Sequence, residues 1–298
     1  MKIIKPSIIT PAMITSCNVP EDDYSAWLIG TAYVVGNKVL SNHKIYECLV
    51  NNTGYLPDDN ISGTTPKWLF ISYDNRWLMF DEVVGSRTEI AKSLTLIISP
   101  GMTDTITFLD LDATEIIIME TAPVDGLVYS KTINLVSTSG IIDAYTYHFK
   151  PIVTTDSISL LDIPPYSNAS ISITINNPSG IVKVGTIAFG LQTDLGWTQY
   201  DPTIGITDFS RKEVDIFGNY SILERAFSKR LSCQVFLDNS AVDSIVRMLA
   251  QYRATPVIWV AVDSGFSTMI IYGFYRSFAV TVKYIAHSTC TFELEGLT

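Results

Sequence analysis

Between Arg87 and Gly190 the chain changes character at almost every second residue. "SLTLIIS", "DTITFLDLD", "TEIIIME", "GLVYSKTINLV", "AYTYHFKPIV", "SISLLDI", "ASISITINN" and "VKVGTIAFG" place β-branched or apolar residues alternately or in short runs. Successive side chains of a strand point to opposite faces, so a period of two predicts strands. Pro100-Gly101, Asp125-Gly126, Ser139-Gly140, Pro164-Pro165 and Asn177-Pro178-Ser179-Gly180 separate them as turns. Many strands at this spacing, with no helical period, predict a β-sandwich of the jelly-roll type over 74–204.

The pattern differs on either side. In "RLSCQVFLD" Leu231, Cys233, Val235 and Leu237 share one strand face, and then the period lengthens. Val242, Ile245, Val246, Leu249 and Tyr252 recur at helical spacing, with Ser240 as the expected N-cap and Pro256 barring continuation. Strands resume in "PVIWVAV", "TMIIYGFY", "FAVTVKYI" and "CTFELEG". Residues 205–298 therefore read as an α+β sheet carrying one packed helix. Upstream, 24–73 is short, aromatic and dense in turn residues, and brief runs such as "AYVV", "IYECLV" and "KWLFI" predict small strands. So small a unit lacks room for a large aliphatic core. Trp27, Tyr33, Tyr46 and Trp68 bury much area each and are expected to form the core instead. Residues 1–23 read as an N-terminal arm. The expected fold class is mainly β and multidomain: aromatic module, central sandwich, C-terminal sheet with one helix.

Composition narrows the function. The 298 residues carry a net charge of −10. Residues 1–80 hold 6 basic and 7 acidic groups, 81–205 hold 5 and 14, and 206–298 hold 9 and 9. The acidity belongs to the middle, and no Lys/Arg block exists to follow a nucleic-acid backbone. No apolar run is long enough to span a membrane. Pro6 and Pro11 interrupt the apolar N-terminal stretch, so no signal segment is expected there. Cys17, Cys48, Cys233 and Cys290 show neither paired nor zinc-type spacing and read as reduced thiols.

Catalytic chemistry leaves little trace. His43, His148 and His287 fit no metal motif. His43 is expected solvated in the "SNHK" turn, His148 in a strand and His287 at a strand junction. Asp110 with Asp112, and Glu293 with Glu295, have the spacing of paired carboxylates, but they alternate with apolar residues as the wet side of a strand does. No nucleophile elbow, calcium loop or glycine-rich phosphate loop occurs. No enzyme, metal or cofactor is expected.

Two resemblances add to this reading. Ala26-Trp27, Thr31-Ala32-Tyr33, Gly36, Val39, Tyr46, Cys48-Leu49 and Pro66-Lys67-Trp68 occur in the order of the type 5/12 chitin-binding carbohydrate module. The resemblance covers about 24–72. It implies that Tyr55, in "NTGYLPDD", stacks on a sugar ring, with Asp58, Asp59 and Asn52 placed to bond its hydroxyls. The platform is Tyr rather than Trp, and "LSNHK" replaces an aromatic before the central turn. A glycan other than chitin, or a spacer role, stays open.

Second, "NRWLMFDEVVGS", "PVDGLVYSKTINLV", "IPPYSNASISITI", "GITDFSRKEVDIFGNYSILERAFSKR", "VDSIVRMLAQYRATPVIWV" and "CTFELEGLT" resemble a family of bacteriophage virion proteins across nearly the whole chain. The last third also resembles the sheet-plus-helix unit of tail-tube and distal-tail proteins. These resemblances imply a non-enzymatic structural component of a tail or baseplate, made in the bacterial host cytoplasm and residing in the virion. Its expected partners are copies of itself in a ring (a hexamer being one option), the tail tube and other baseplate proteins, and a host surface glycan. The mixed-sign cluster Arg211, Lys212, Glu213, Asp215, Glu224, Arg225, Lys229 and Arg230 suits contacts between neighbouring subunits. A collar protein is one alternative. A glycan-binding accessory protein or carbohydrate-active enzyme is another.

Overall fold

Alternation becomes layers. The computed structural model describes residues 1–137, 141–151, 153–214, 217–262, 267–282 and 284–297. The expected turn Ser139-Gly140 and the side chain of Asp215 lie outside them. In Thr88–Ile98, Leu94, Leu96 and Ile98 are buried while Thr95 and Ile97 between them are not. Ile116 and Ile118 of Glu115–Ala122 follow the same rule, as do Ile171, Ile173 and Ile175 of Ser170–Asp194. One sheet runs from Gly126–Asn134 through Glu115–Ala122 and the first half of Ser170–Asp194 to Thr88–Ile98 and Ile14–Cys17. Thr105–Asp112 pairs with the second half of Ser170–Asp194 and with Ile158–Leu160. A single core joins both sets, with Phe108 and Phe189 fully buried in it.

Ser170–Asp194 corrects one expectation. Asn177-Pro178-Ser179-Gly180 does not reverse the chain. It is a register shift between Asn176 and Ile181 inside one 25-residue strand. Pro178 has no N–H to give to a ladder, and a bulge is where a strand tolerates that. The Asn177 side-chain amide closes the bulge by donating to the Ile181 carbonyl at 3.0 Å. The strand thereby bends and serves both halves of the sandwich.

Residues 1–23 are not an arm. Lys2–Pro6 lies between Gly190–Asp194 and Ile258–Val260, antiparallel to both, with Ile3 and Ile4 buried. It joins the central strands to a C-terminal sheet made of Val257–Val260, Ile270–Val282, His287–Gly296 and Phe227–Asp238 in that order. Trp197–Thr198 and Thr203–Asp208 line its far side. The helix Val242–Gln251 packs on this sheet through Ile245 and Leu249, in one core with Val235, Leu237, Trp259 and Phe292. Ser240 does not cap it. Ser240 sits in a 3-10 turn, Asn239–Ala241, and the helix begins after Ala241 without a side-chain cap.

A second helix falls where a strand was expected. In "AYTYHFKPIV" residues Ala144–Phe149 are helical. Asp143 accepts from the Thr146 backbone N–H at 2.7 Å, while the Thr146 hydroxyl oxygen accepts from the Asp143 N–H at 3.1 Å. This reciprocal cap satisfies the first-turn donors and outweighs a weak alternation. His148 therefore lies in a helix, not a strand. The chain is mainly β, with antiparallel sheets and several separate cores.

The aromatic module forms a three-stranded sheet, Lys38–Ser41, Lys44–Cys48 and Trp68–Tyr73, beside the short pair Ala32–Tyr33 and Asn52–Thr53. Tyr33, Val39, Tyr46, Cys48 and Trp68 make its core, and Trp27 packs against it. Tyr33 meets Trp68 edge-on, 5.2 Å between ring centres, a favoured aromatic geometry.

Candidate functional site

The segment richest in unspent surface is the ribbon between Thr203 and Ser232. Thr203–Asp208 pairs with Phe227–Ser232, and beyond it Arg211–Val214 pairs with Tyr220–Leu223. All residues of these two tip strands are exposed. Register sorts their faces. Lys212 lies opposite Ile222 and Val214 opposite Tyr220, so one face carries Val214, Tyr220 and Ile222, with the Lys212 ammonium 4.9 Å over the Tyr220 ring. Arg211, Glu213, Ser221 and Leu223 form the other face. Val214, Tyr220 and Ile222 are 61%, 66% and 68% exposed.

The charged cluster divides. Arg211, Lys212, Glu224, Arg225 and Arg230 are exposed along the ribbon, and Arg211 approaches Glu213 at 4.0 Å. Lys229 does not join them outward. It reaches Asp156 of the central region at 3.6 Å, tying the base of the ribbon to its own subunit.

The same sheet has two unlike open edges. At one end Thr203–Asp208 pairs, among the described residues, only with Phe227–Asp238. At the other, Ile270–Val282 meets Val257–Val260 through Ile270–Gly273 alone. From Phe274 to Val282 no strand among the described residues pairs with that side. Unpaired N–H and C=O groups along such edges invite another strand.

In the module, Tyr55 is 47% exposed in its Gly/Pro/Asp loop. Its carbonyl accepts from the Trp68 indole N–H at 2.9 Å, and the Lys67 ammonium lies 5.7 Å over its ring. Asp59, four residues on, is exposed. The other two expected sugar-bonding groups turn inward. Asn52 is buried, and its amide donates to the Val50 carbonyl at 2.9 Å. The Asp58 carboxylate accepts from Ser41 Oγ at 2.7 Å, Tyr46 OH at 2.8 Å and Asn42 Nδ2 at 2.9 Å. Burial alone would raise its pKa. Those three hydrogen bonds, with the Lys44 charge, hold it below the usual carboxylate value. Asp58 is thus the staple between loop and strands. A buried or half-buried polar group must find partners inside, and sequence spacing does not say which Asp of a pair does so.

His43 is half-buried in its turn rather than fully solvated. Asn42 and His43 both have positive φ, 46° and 68°, as a tight two-residue hairpin loop requires. The His43 ring pairs with Glu21 and lies 4.3 Å from the Trp77 ring. His287 opens its strand and approaches Asp238 at 3.2 Å.

One member of each carboxylate pair is already engaged. Asp110 has φ 56° and breaks the alternation of its strand, where Arg87 grips it through two hydrogen bonds of 2.5 and 2.6 Å. Glu293 accepts from Ser277 Oγ at 2.9 Å. All four cysteines are free. Burial pushes the Cys233 thiol up to about 11 and the Cys290 thiol up to about 12, which leaves both protonated and poorly nucleophilic. Among the described residues no three His, Cys, Asp or Glu side chains gather as a metal site, and no helix is long and apolar enough to cross a membrane. Comparison with protein-family models, with curated proteins and with solved structures gives no match to this chain.

Proposed function

We propose that this protein is a non-enzymatic structural component of a bacteriophage tail or baseplate that assembles into a ring through its C-terminal sheet. The observation that carries the reading is the pair of unlike free edges on one sheet, Thr203–Asp208 and Phe274–Val282. Two different edges on one subunit allow head-to-tail joining, and such contacts close into rings when the rotation fits. The ribbon tip supports the same reading. A two-stranded hairpin is marginal alone in water, and its Val214, Tyr220 and Ile222 face has no cover among the described residues. A neighbouring copy supplies that cover, with Arg211, Lys212, Glu224, Arg225 and Arg230 setting register. The virion is the proposed location, after synthesis in the host cytoplasm, with the tail tube and other baseplate proteins as further partners.

Mass photometry tests this on the full chain and on a variant with 209–226 replaced by an Asn-Gly turn. The wild type is expected to form a ring-sized species that the variant lacks. A wild type that stays monomeric, alone and mixed with purified tail tubes, overturns the proposal.

A second role belongs to the module. Exposed Tyr55, with Asp59 exposed in the same loop, is a flat ring able to stack on a host surface glycan. Glycan-array binding by the wild type and its loss in Tyr55→Ala is the expected result. Binding that survives Tyr55→Ala removes this platform.

A further inference from the structure

Where the N-terminal strand, the aromatic module and both larger sheets converge, a cavity of about 370 Å³ opens. Clefts at such junctions are favoured places for small ligands. Four aromatic side chains besides the His43 ring line it: Tyr73 from the module, Trp77 and Phe80 from the connecting turn, and Tyr272 from the C-terminal sheet. The Trp77 and Phe80 rings cross at 63° with centres 5.9 Å apart, so they stand as two walls rather than one stack.

The charged lining is mostly acidic. Asp81 and Glu82 are the carboxylates, His43 is the one imidazole and is itself paired with Glu21, and no lysine or arginine lines the cavity among the described residues. Asp81 is fixed by Ser86 Oγ at 2.6 Å and the Val83 N–H at 2.9 Å. Glu82 is exposed and has φ 63°, a left-handed conformation that costs energy for any residue except glycine. Burial, with Glu82 and Asp81 nearby, pushes the Tyr272 phenol above its usual range, in keeping with negative potential there. Two wall residues, Trp77 and Thr186, are more than nine-tenths buried, and Trp77 Nε1 and Thr186 Oγ1 find no hydrogen-bond partner among the described residues. Buried polar groups left so are costly and call for an explanation. The Lys44 ammonium lies 5.8 Å over the Tyr73 ring, so one face of that ring already carries a cation of the chain.

We propose that this cavity binds a small organic cation of the alkylammonium class, held among the rings of Tyr73, Trp77, Phe80 and Tyr272 and by the charges of Asp81 and Glu82. Aromatic faces attract ammonium groups through their negative quadrupole, most strongly where water is excluded. A neutral sugar would use the rings but leave the two carboxylates without an opposite charge. The proposal stands apart from ring assembly and from the Tyr55 platform.

Isothermal titration of the full chain tests it, with choline as the cation and 3,3-dimethyl-1-butanol as its uncharged isostere. Choline is expected to bind saturably, and the isostere roughly tenfold or more weakly. Glu82→Gln, at an exposed position, is expected to weaken choline roughly threefold with an unchanged melting curve. Tyr73→Leu should weaken it further, and Tyr55→Ala should leave it alone. Equal affinity for the isostere would make the cavity merely apolar and overturn the proposal. Preference for glucose over choline, or no saturable choline binding, overturns it as well.

Discussion

The aromatic module and the projecting ribbon are both small β elements, yet one closes on itself and the other does not. In the module, Trp68 and Tyr46 are 0% and 1% exposed. In the tip of the ribbon every strand residue is exposed. The difference does not lie in apolar content. The module folds several separate segments around its rings, so that Tyr33 meets Trp68 and Tyr46 meets Phe70 from different segments. The ribbon tip has two strands, and among the described residues nothing lies opposite its Val214, Tyr220 and Ile222 face. A period of two says which face of a strand seeks cover. It does not say whether the same chain provides it.

The strongest way to break this contrast is to open the module. Trp68→Ala removes its largest fully buried ring and the indole N–H bond to Tyr55. A loss of about 3–5 kcal/mol is expected, enough to unfold so small a core. Near-ultraviolet dichroism should lose the module's aromatic signal while the melting of the larger sheets persists. The ribbon should respond in the opposite sense. Ile222→Asp, at an exposed site, is expected to change monomer stability by less than about 0.5 kcal/mol. The same change should weaken self-association by roughly thirtyfold or more, the scale of a buried interface residue. Sedimentation over a dilution series reads both. Substantial destabilisation with intact association would mean that the ribbon face is covered within its own subunit.

Legibility follows the same line between local and distant causes. Leu94, Leu96, Ile98 and the Val242, Ile245, Leu249 stripe were readable because neighbours in sequence set their periods. The aromatic core was readable because few residues of such size can be left in water. Lys2–Pro6 was not, since a five-residue strand becomes central only when two distant strands flank it. The bend at Asn177–Gly180 has the same residues as a turn and differs only in what pairs beyond it. Asn52 and Asp58 looked like their exposed neighbour Asp59, and only the fold of the loop separates them. The cavity escaped notice because its rings come from positions as far apart as Tyr73 and Tyr272.

Asp58 gives a smaller and pH-dependent test of the module's closure. Asp58→Ala strands the Ser41, Tyr46 and Asn42 donors and is expected to cost about 1–3 kcal/mol. The folded carboxyl sits below its ordinary value. Its contribution is therefore complete above the unfolded pKa of about 3.9 and is lost as pH falls through the lower folded value. Urea titrations across that acid range should show wild type and Asp58→Ala converging as pH drops. Parallel curves would mean that the three hydrogen bonds do not depend on the charge.

The smallest effect concerns the turn that joins the module to its neighbours. His43 has φ 68° at a position where glycine is at ease. Its ring meets Glu21 and Trp77, so side-chain contact is gained against backbone strain. His43→Ala loses the contacts and keeps the strain. His43→Gly loses the same contacts and relieves it, although glycine also loosens the unfolded chain. Glycine should therefore be the more stable of the two variants by about 1 kcal/mol or less. Alanine equal to or better than glycine would show that the turn relaxes out of the left-handed region once the ring is gone. The His43 ring would then be holding the turn in shape, rather than the turn holding the ring.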